Sequence, residues 1–149
     1  MDTSIKVLIV DDFATMRRIL KNILKQLGFK NLLEADDGTT AYDLLENQDV
    51  DLIISDWNMP KMTGVEFSKA IREKGDTSHI PIIMVTAEKS MGKVDIALNE
   101  GGANEYITKP FTADKMHKTI KRYFDEEGQL VTQKETEEKK SFFSNILKS

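Results

Sequence analysis

The chain has no cysteine in its 149 residues, which excludes a disulfide framework, a thiol nucleophile and a cysteine metal site. Histidine is nearly as scarce, His79 and His117 being the only two. A Ser-His hydrolase or a His-ligated zinc centre is therefore not expected. No apolar run approaches the roughly 20 residues that span a bilayer. Met1 leads almost at once into Lys6-Val7-Leu8-Ile9-Val10, which leaves no room for a signal peptide. A basic stripe is missing as well, and the net charge of −4 argues against nucleic-acid binding. What remains is 40% apolar and 31% charged, enough to fill one core in a soluble domain. The expected compartment is the cytoplasm, with no membrane contact.

Three short apolar runs stand out: Val7-Leu8-Ile9-Val10, Leu52-Ile53-Ile54 and Ile82-Ile83-Met84-Val85. They are rich in β-branched residues and lack alternation, as strands buried on both faces of a parallel sheet do. Asn31-Leu32-Leu33-Glu34-Ala35 and Glu105-Tyr106-Ile107-Thr108 are more polar and suit edge strands. Helical spacing fills the gaps. Met16, Ile19, Leu20, Ile23, Leu24 and Leu27 form the first stripe, and Gly28 follows as a stop. Ala41, Leu44 and Leu45 mark a second helix, Phe67, Ala70 and Ile71 a third, and Val94, Ala97 and Leu98 a fourth. Met116, Ile120, Tyr123 and Phe124 mark the fifth, with Thr112 as its N-cap.

Strand and helix thus alternate five times. Such alternation predicts an α/β fold, a parallel sheet with helices on both faces and right-handed crossovers. The pattern alone does not order the strands. The two polar strands are the second and fifth, however, and these are the edges in the order 2-1-3-4-5 of flavodoxin-like doubly wound sheets, from which that topology is borrowed. The compact domain is expected over residues 1–128. Residues 129–149 read as a polar linker and tail, with Phe142, Phe143, Ile146 and Leu147 spaced for a short amphipathic helix.

In such sheets ligands bind beyond the carboxyl ends of the strands, where strand order reverses. The first strand ends in Asp11 and Asp12, the third in Asp56, the fourth in Thr86, and the fifth in Lys109. Three carboxylates, a hydroxyl and an ammonium are therefore delivered to one place. Two unit charges 4 Å apart interact by roughly 4 kcal/mol at an effective dielectric near 20, and Lys109 compensates only one. The remedy is a hard divalent cation, and Mg²⁺ fits because it takes a few carboxylates and keeps water positions open for phosphate oxygens. Singly the residues have bland readings: Asp12 as an N-cap, Thr86 as a turn residue, Lys109 as a solvated charge. Together at matching strand ends they point to a phosphoryl-receiving site.

At these residues the chain resembles the response-regulator receiver family, and within it the chemotaxis receivers of the CheY type. The matching stretches are Asp-Asp-Phe-Ala-Thr-Met-Arg-Arg at 11–18, Asp-Trp-Asn-Met-Pro at 56–60, Thr-Ala-Glu at 86–88 and Lys-Pro-Phe-Thr-Ala at 109–113. The resemblance implies that Asp56 takes a phosphoryl group from a phosphohistidine. It implies Mg²⁺ bound by Asp12, Asp56 and the Asn58 carbonyl, with Asp11 acting largely through water. Lys109 would pair with the phosphoryl oxygens, its bond to Pro110 cis. Thr86 and Tyr106 would form the switch that changes the face made by the fourth helix, fifth strand and fifth helix. Asn58 and Glu88 would tune dephosphorylation. The implied partners are the chemotaxis histidine kinase CheA, the flagellar motor switch protein FliM and a CheY phosphatase. The chain would be a monomer and a switch, not an enzyme on other substrates.

Two departures from that pattern stand out. The stretch between Glu88 and Tyr106, with Gly101-Gly102 in it, is one residue longer than in similar CheY proteins, and the tail beyond Gly128 is extra. A phosphate sink or adaptor that leaves the motor untouched is the alternative output. A haloacid-dehalogenase-type phosphatase would need a second Asp where Asn58 stands, and an amide cannot donate a proton to a leaving group. About 20 residues after Gly128 are too few for a helix-turn-helix DNA-binding domain.

Overall fold

The computed structural model describes residues 4–59, 61–87 and 91–124. The elements run β1 (Lys6–Val10), α1 (Ala14–Gln26), β2 (Asn31–Ala35), α2 (Gly38–Asn47), β3 (Leu52–Ser55), α3 (Gly64–Glu73), β4 (Ile82–Thr86), α4 (Met91–Asp95, continued by a π-helical turn over Ile96–Glu100), β5 (Glu105–Thr108) and α5 (Ala113–Lys121). The five strands form one parallel sheet in the order β2-β1-β3-β4-β5. The architecture is the doubly wound one expected, with both polar strands at the edges. The tail helix expected near Phe142 and the domain end at Gly128 lie outside the described residues.

Alternation along the strands divides the core. Leu8, Val10, Ile53, Ile82 and Met84 pack with α2, α3 and Tyr106 on one face. Val7, Ile9, Leu52, Ile54, Ile83, Val85 and Ile107 pack with α1 and α5 on the other. Residues 7–10 of β1, 52–54 of β3 and 82–85 of β4 are therefore apolar without a break because they have no wet face.

Local chemistry sets the helix ends. Asp37 caps α2 by accepting from Thr40 N–H at 2.7 Å. Thr63 and Glu66 make a reciprocal capping box on α3. Thr112 caps α5 as expected, accepting from Lys115 N–H at 3.1 Å. α1 closes through Gly28 at φ 98°. Gly28 N–H donates to Lys25 O and Phe29 N–H to Leu24 O, which turns the chain towards β2 and buries Phe29.

The fourth helix is less regular than its apolar spacing predicts. Gly101 N–H donates to Ile96 O at 2.9 Å, a five-residue step. Such a turn holds one residue more than an α-turn. Ala97 is buried, while Val94 and Leu98 are half-buried. Arg72 of α3 fastens the segment that follows, donating to Gly102 O (2.9 Å), Ile80 O (2.6 Å), Ser78 O (3.1 Å) and Asn104 Oδ1 (2.6 Å). Among the described residues no helix is long and apolar enough to cross a membrane.

Candidate functional site

Four strand ends converge because parallel strands all point their carboxyl ends one way. β1 and β3 are hydrogen-bonded neighbours, and Asp56 N–H donates to Val10 O at 2.9 Å. The step past each strand end leaves Asp11, Asp12 and Asp56 with carboxylate oxygens all within 4.8 Å of one another. They differ in surroundings. Asp11 is 1% exposed, Asp56 half-buried, and Asp12 exposed.

Asp11 is fixed. Its Oδ1 accepts Phe13 N–H at 2.8 Å and its Oδ2 accepts Lys109 Nζ at 3.1 Å. The bland reading of Asp12 as an N-cap does not hold: Phe13 takes the cap position of α1 with no side-chain cap bond, and it is Asp11 that accepts the Phe13 amide. Asp12 has no hydrogen-bond or ion-pair partner among the described residues.

Asp56 Oδ1 accepts Trp57 N–H at 2.7 Å, and Lys109 Nζ stands 3.7 Å from its Oδ2. Burial pushes its carboxyl above the usual range; Lys109 opposes that, Asp11 adds to it, and hydrogen bonds from Thr86 and the Trp57 amide oppose it again. Burial thus disfavours the charged form of Asp56, and positive charge beside it favours that form.

Lys109 comes from the end of β5, where its N–H donates to Thr86 O and its bond to Pro110 is cis, as expected. Thr86 ends β4 at 1% exposure. Thr86 pairs with Thr108 and Met84 with Tyr106, so Thr86 and Tyr106 share one sheet face two positions apart. Tyr106 is half-buried against Met84's cluster.

Asn58 is exposed in the loop after β3, and Glu88 lies outside the described residues. That loop is held from below by α3: Gly64 N–H donates to Trp57 O at 2.8 Å, and a Cβ on Gly64 would stand 2.2 Å from the Asp56 carbonyl oxygen. Only glycine fits that approach. Lys61 in the same loop takes a left-handed φ of 69° and reaches Asp37 Oδ2 at 3.5 Å.

The residue that sequence reasoning passed over is Arg17. It donates to the Asp11 carbonyl at 2.6 Å and lies 3.3 Å from Glu34, whose other oxygen is 2.9 Å from Lys21. Its position inside a matched stretch gave no chemical hint of that contact.

The donor set suits a hard cation: all oxygen, with one carboxylate unpartnered among the described residues and the other two sharing a single lysine. No other group of three possible ligands with this spacing occurs among the described residues.

Comparison with known proteins agrees with this geometry. The family model of the response regulator receiver domain matches residues 7–121. The chain is 48% identical over 120 residues to chemotaxis protein CheY of Pseudomonas aeruginosa, covering 80% of this chain and 96% of that protein. It is 45% identical over 125 residues to CheY-3 of Vibrio cholerae, covering 84% and 95%. Among solved structures, CheY4 of Vibrio cholerae superposes with a TM-score of 0.73 at 38% identity, over 80% of this chain and 98% of that one. The receiver domain of a Pseudomonas aeruginosa sensor histidine kinase, solved with magnesium in its active-site cleft, gives a TM-score of 0.73 at 27% identity over 80% and 96%. The chain is CheY-like and belongs to the response regulator receiver family.

Proposed function

We propose that this receiver is a chemotaxis switch in which Asp56 accepts a phosphoryl group from a histidine kinase. The observation that carries the reading is the Asp11–Asp12–Asp56 cluster within 4.8 Å, with Lys109 reaching two of its members.

An Asp56 oxygen attacks the phosphorus of a phosphohistidine. The P–N bond breaks, its electron pair stays on the imidazole nitrogen, which takes up a proton, and an acyl phosphate forms. Lys109 pairs with the incoming phosphoryl oxygens and Thr86 donates to one of them. Asp12, Asp56 and the Asn58 carbonyl would hold Mg²⁺, with Asp11 behind water, and that ion supplies charge neutralisation at the transferring group. Asn58 and Glu88 tune hydrolysis.

A phosphoryl group adds one to three charge-assisted hydrogen bonds, each worth about 1.5–3 kcal/mol. About 5.5 kcal/mol moves a two-state population from 1:99 to 99:1, so two or three suffice. Thr86 and Tyr106 carry the change to the α4–β5–α5 face, which then binds a flagellar motor switch protein of the FliM kind. The kinase would be of the CheA kind, a dedicated phosphatase would reset the switch, and the chain would work as a cytoplasmic monomer.

Trp57 adjoins Asp56 and reports on the site. Its fluorescence is expected to change on adding Mg²⁺ and again with acetyl phosphate, and Asp56→Ala is expected to abolish the second change. Silence in the wild type, or an intact second change in the variant, would overturn the reading. The π-helical turn at Ile96–Glu100 favours one second reading, a phosphate sink or adaptor, because it alters the output face. Binding of a motor-switch peptide only with beryllofluoride would decide for the motor.

A further inference from the structure

Every polar atom of Asp11 is occupied. Its N–H donates to Ala35 O at 3.2 Å, its two carboxylate oxygens accept from Phe13 and Lys109, and its carbonyl oxygen accepts Arg17 Nη1 at 2.6 Å. The carbonyl contact is unusual in direction. Arg17 lies beyond the first turn of α1, and its side chain turns back across the strand–helix junction to reach the strand end.

The guanidinium is itself braced. Its Nε lies 3.3 Å from Glu34 Oε1 on β2, and Lys21 Nζ holds the other Glu34 oxygen at 2.9 Å. Both cations keep the Glu34 carboxyl below its ordinary range, Lys21 first, although burial opposes them. One flat, five-donor group therefore spans β2 and the end of β1, which an ammonium on a single nitrogen does not do.

The carbonyl of Asp11 belongs to the peptide plane that also contains the nitrogen and Cα of Asp12. A clamp on that oxygen sets the plane, and the plane sets where Asp12 projects. Asp12 has no side-chain partner among the described residues, so this backbone restraint is what aims its carboxylate at Asp56.

We infer that Arg17 is a positioning residue for the divalent-cation site, acting through the Asp11–Asp12 peptide and braced by Glu34. The inference rests on the proposed Mg²⁺-dependent reading. It makes a prediction of opposite sign to simple electrostatics. A positive guanidinium beside an acidic site repels a second cation, so deleting it for charge alone would tighten Mg²⁺ binding. Deleting a clamp loosens it.

Mg²⁺ titrations of the full chain, read by Trp57 fluorescence, separate the two. Arg17→Met is expected to weaken Mg²⁺ binding about tenfold, as loss of a ligand-orienting group does. Arg17→Lys keeps the charge but not the span, and is expected to stay close to the Met variant. Glu34→Gln is expected to weaken binding about threefold, and to add nothing in the Arg17→Met background because both act through one contact. Tighter or unchanged binding in Arg17→Met overturns the inference, as do fully additive effects of the two substitutions. Should Arg17→Met fail to fold by circular dichroism, the Lys and Gln variants carry the test, and wild-type affinity in both overturns it. A wild-type protein silent to Mg²⁺ overturns the underlying reading and this inference with it, whereas a normal wild-type response with a tightened variant removes the inference alone.

Discussion

Lys109 stands closer to Asp11 than to Asp56: its Nζ is 3.1 Å from one carboxylate and 3.7 Å from the other. In the resting protein the ammonium is bound first to the buried acid, and the half-buried one has a weaker hold on it. Replacement by Met would leave two crowded carboxylates without a counter-charge. Lys109→Met is expected to lose about 2 kcal/mol of stability at pH 7, below the cost of breaking a fully buried pair because the site is partly wet. Since protonation removes the repulsion, the deficit shrinks as pH falls. Urea unfolding at pH 7 and pH 5 checks both statements.

Asp56 gives a second pH signature. Its folded-state carboxyl is held above the ordinary carboxylate range, chiefly by burial. A raised acid binds its proton more readily folded than unfolded, so its contribution is favourable at low pH and is lost as pH rises through the folded value. Asp56→Asn is therefore expected to raise the metal-free melting temperature at pH 7 by about 2–5 °C. The wild type should close that gap as pH falls towards 4. Melting curves across that range, without Mg²⁺, measure the difference.

Gly64→Ala tests how the phosphoacceptor loop is seated. The new Cβ would meet Asp56 O at 2.2 Å, Met84 Sδ at 2.9 Å and Trp57 Cα at 3.0 Å. Two of those three are backbone atoms that cannot rotate away. A loss of about 3–5 kcal/mol is expected, with a shifted Trp57 emission maximum in whatever folds. An unfolding midpoint within error of the wild type would contradict the packing described.

Arg72→Met removes a half-buried guanidinium that serves four acceptors on two separate segments, 78–80 and 102–104. Burial lowers the Arg72 pKa, yet the acceptors keep the charged form satisfied. Leaving buried carbonyls unpaired is expected to cost about 2–4 kcal/mol. Hydrogen exchange is expected to speed up first at the Ile82 amide, which shares Asn104 Oδ1 with Arg72.

Much of this molecule was legible because buried strands leave a strong trace. The runs at Leu52-Ile53-Ile54 and Ile82-Ile83-Met84-Val85 have no polar alternation, and no other element places such residues so cheaply. The site was legible for a related reason: Asp11, Asp12, Asp56, Thr86 and Lys109 each lie at a strand end or within two residues past it, so locating the strands located them. Arg17 left no comparable trace, since its role depends on a side chain folding back to a backbone oxygen. Only the resemblance, not the residues themselves, told Asp11 from Asp12, because adjacent identical residues differ here only in which way the chain turns. The irregular fourth helix escaped the spacing argument too. Val94, Ala97 and Leu98 fit an ordinary stripe, and a five-residue hydrogen bond leaves no mark on composition.

That bulge has a bearing on heredity. A helix holding a surplus residue can lose it by turning the half before the bulge about the axis, while the strand after the bulge keeps its register. Loss of one residue from 96–100 would swing Met91–Asp95 by roughly 100° about the axis, re-aiming the exposed Met91 while β5 stays put. The chemistry that face offers a visitor is thus governed by arithmetic along the chain as much as by which side chains it carries.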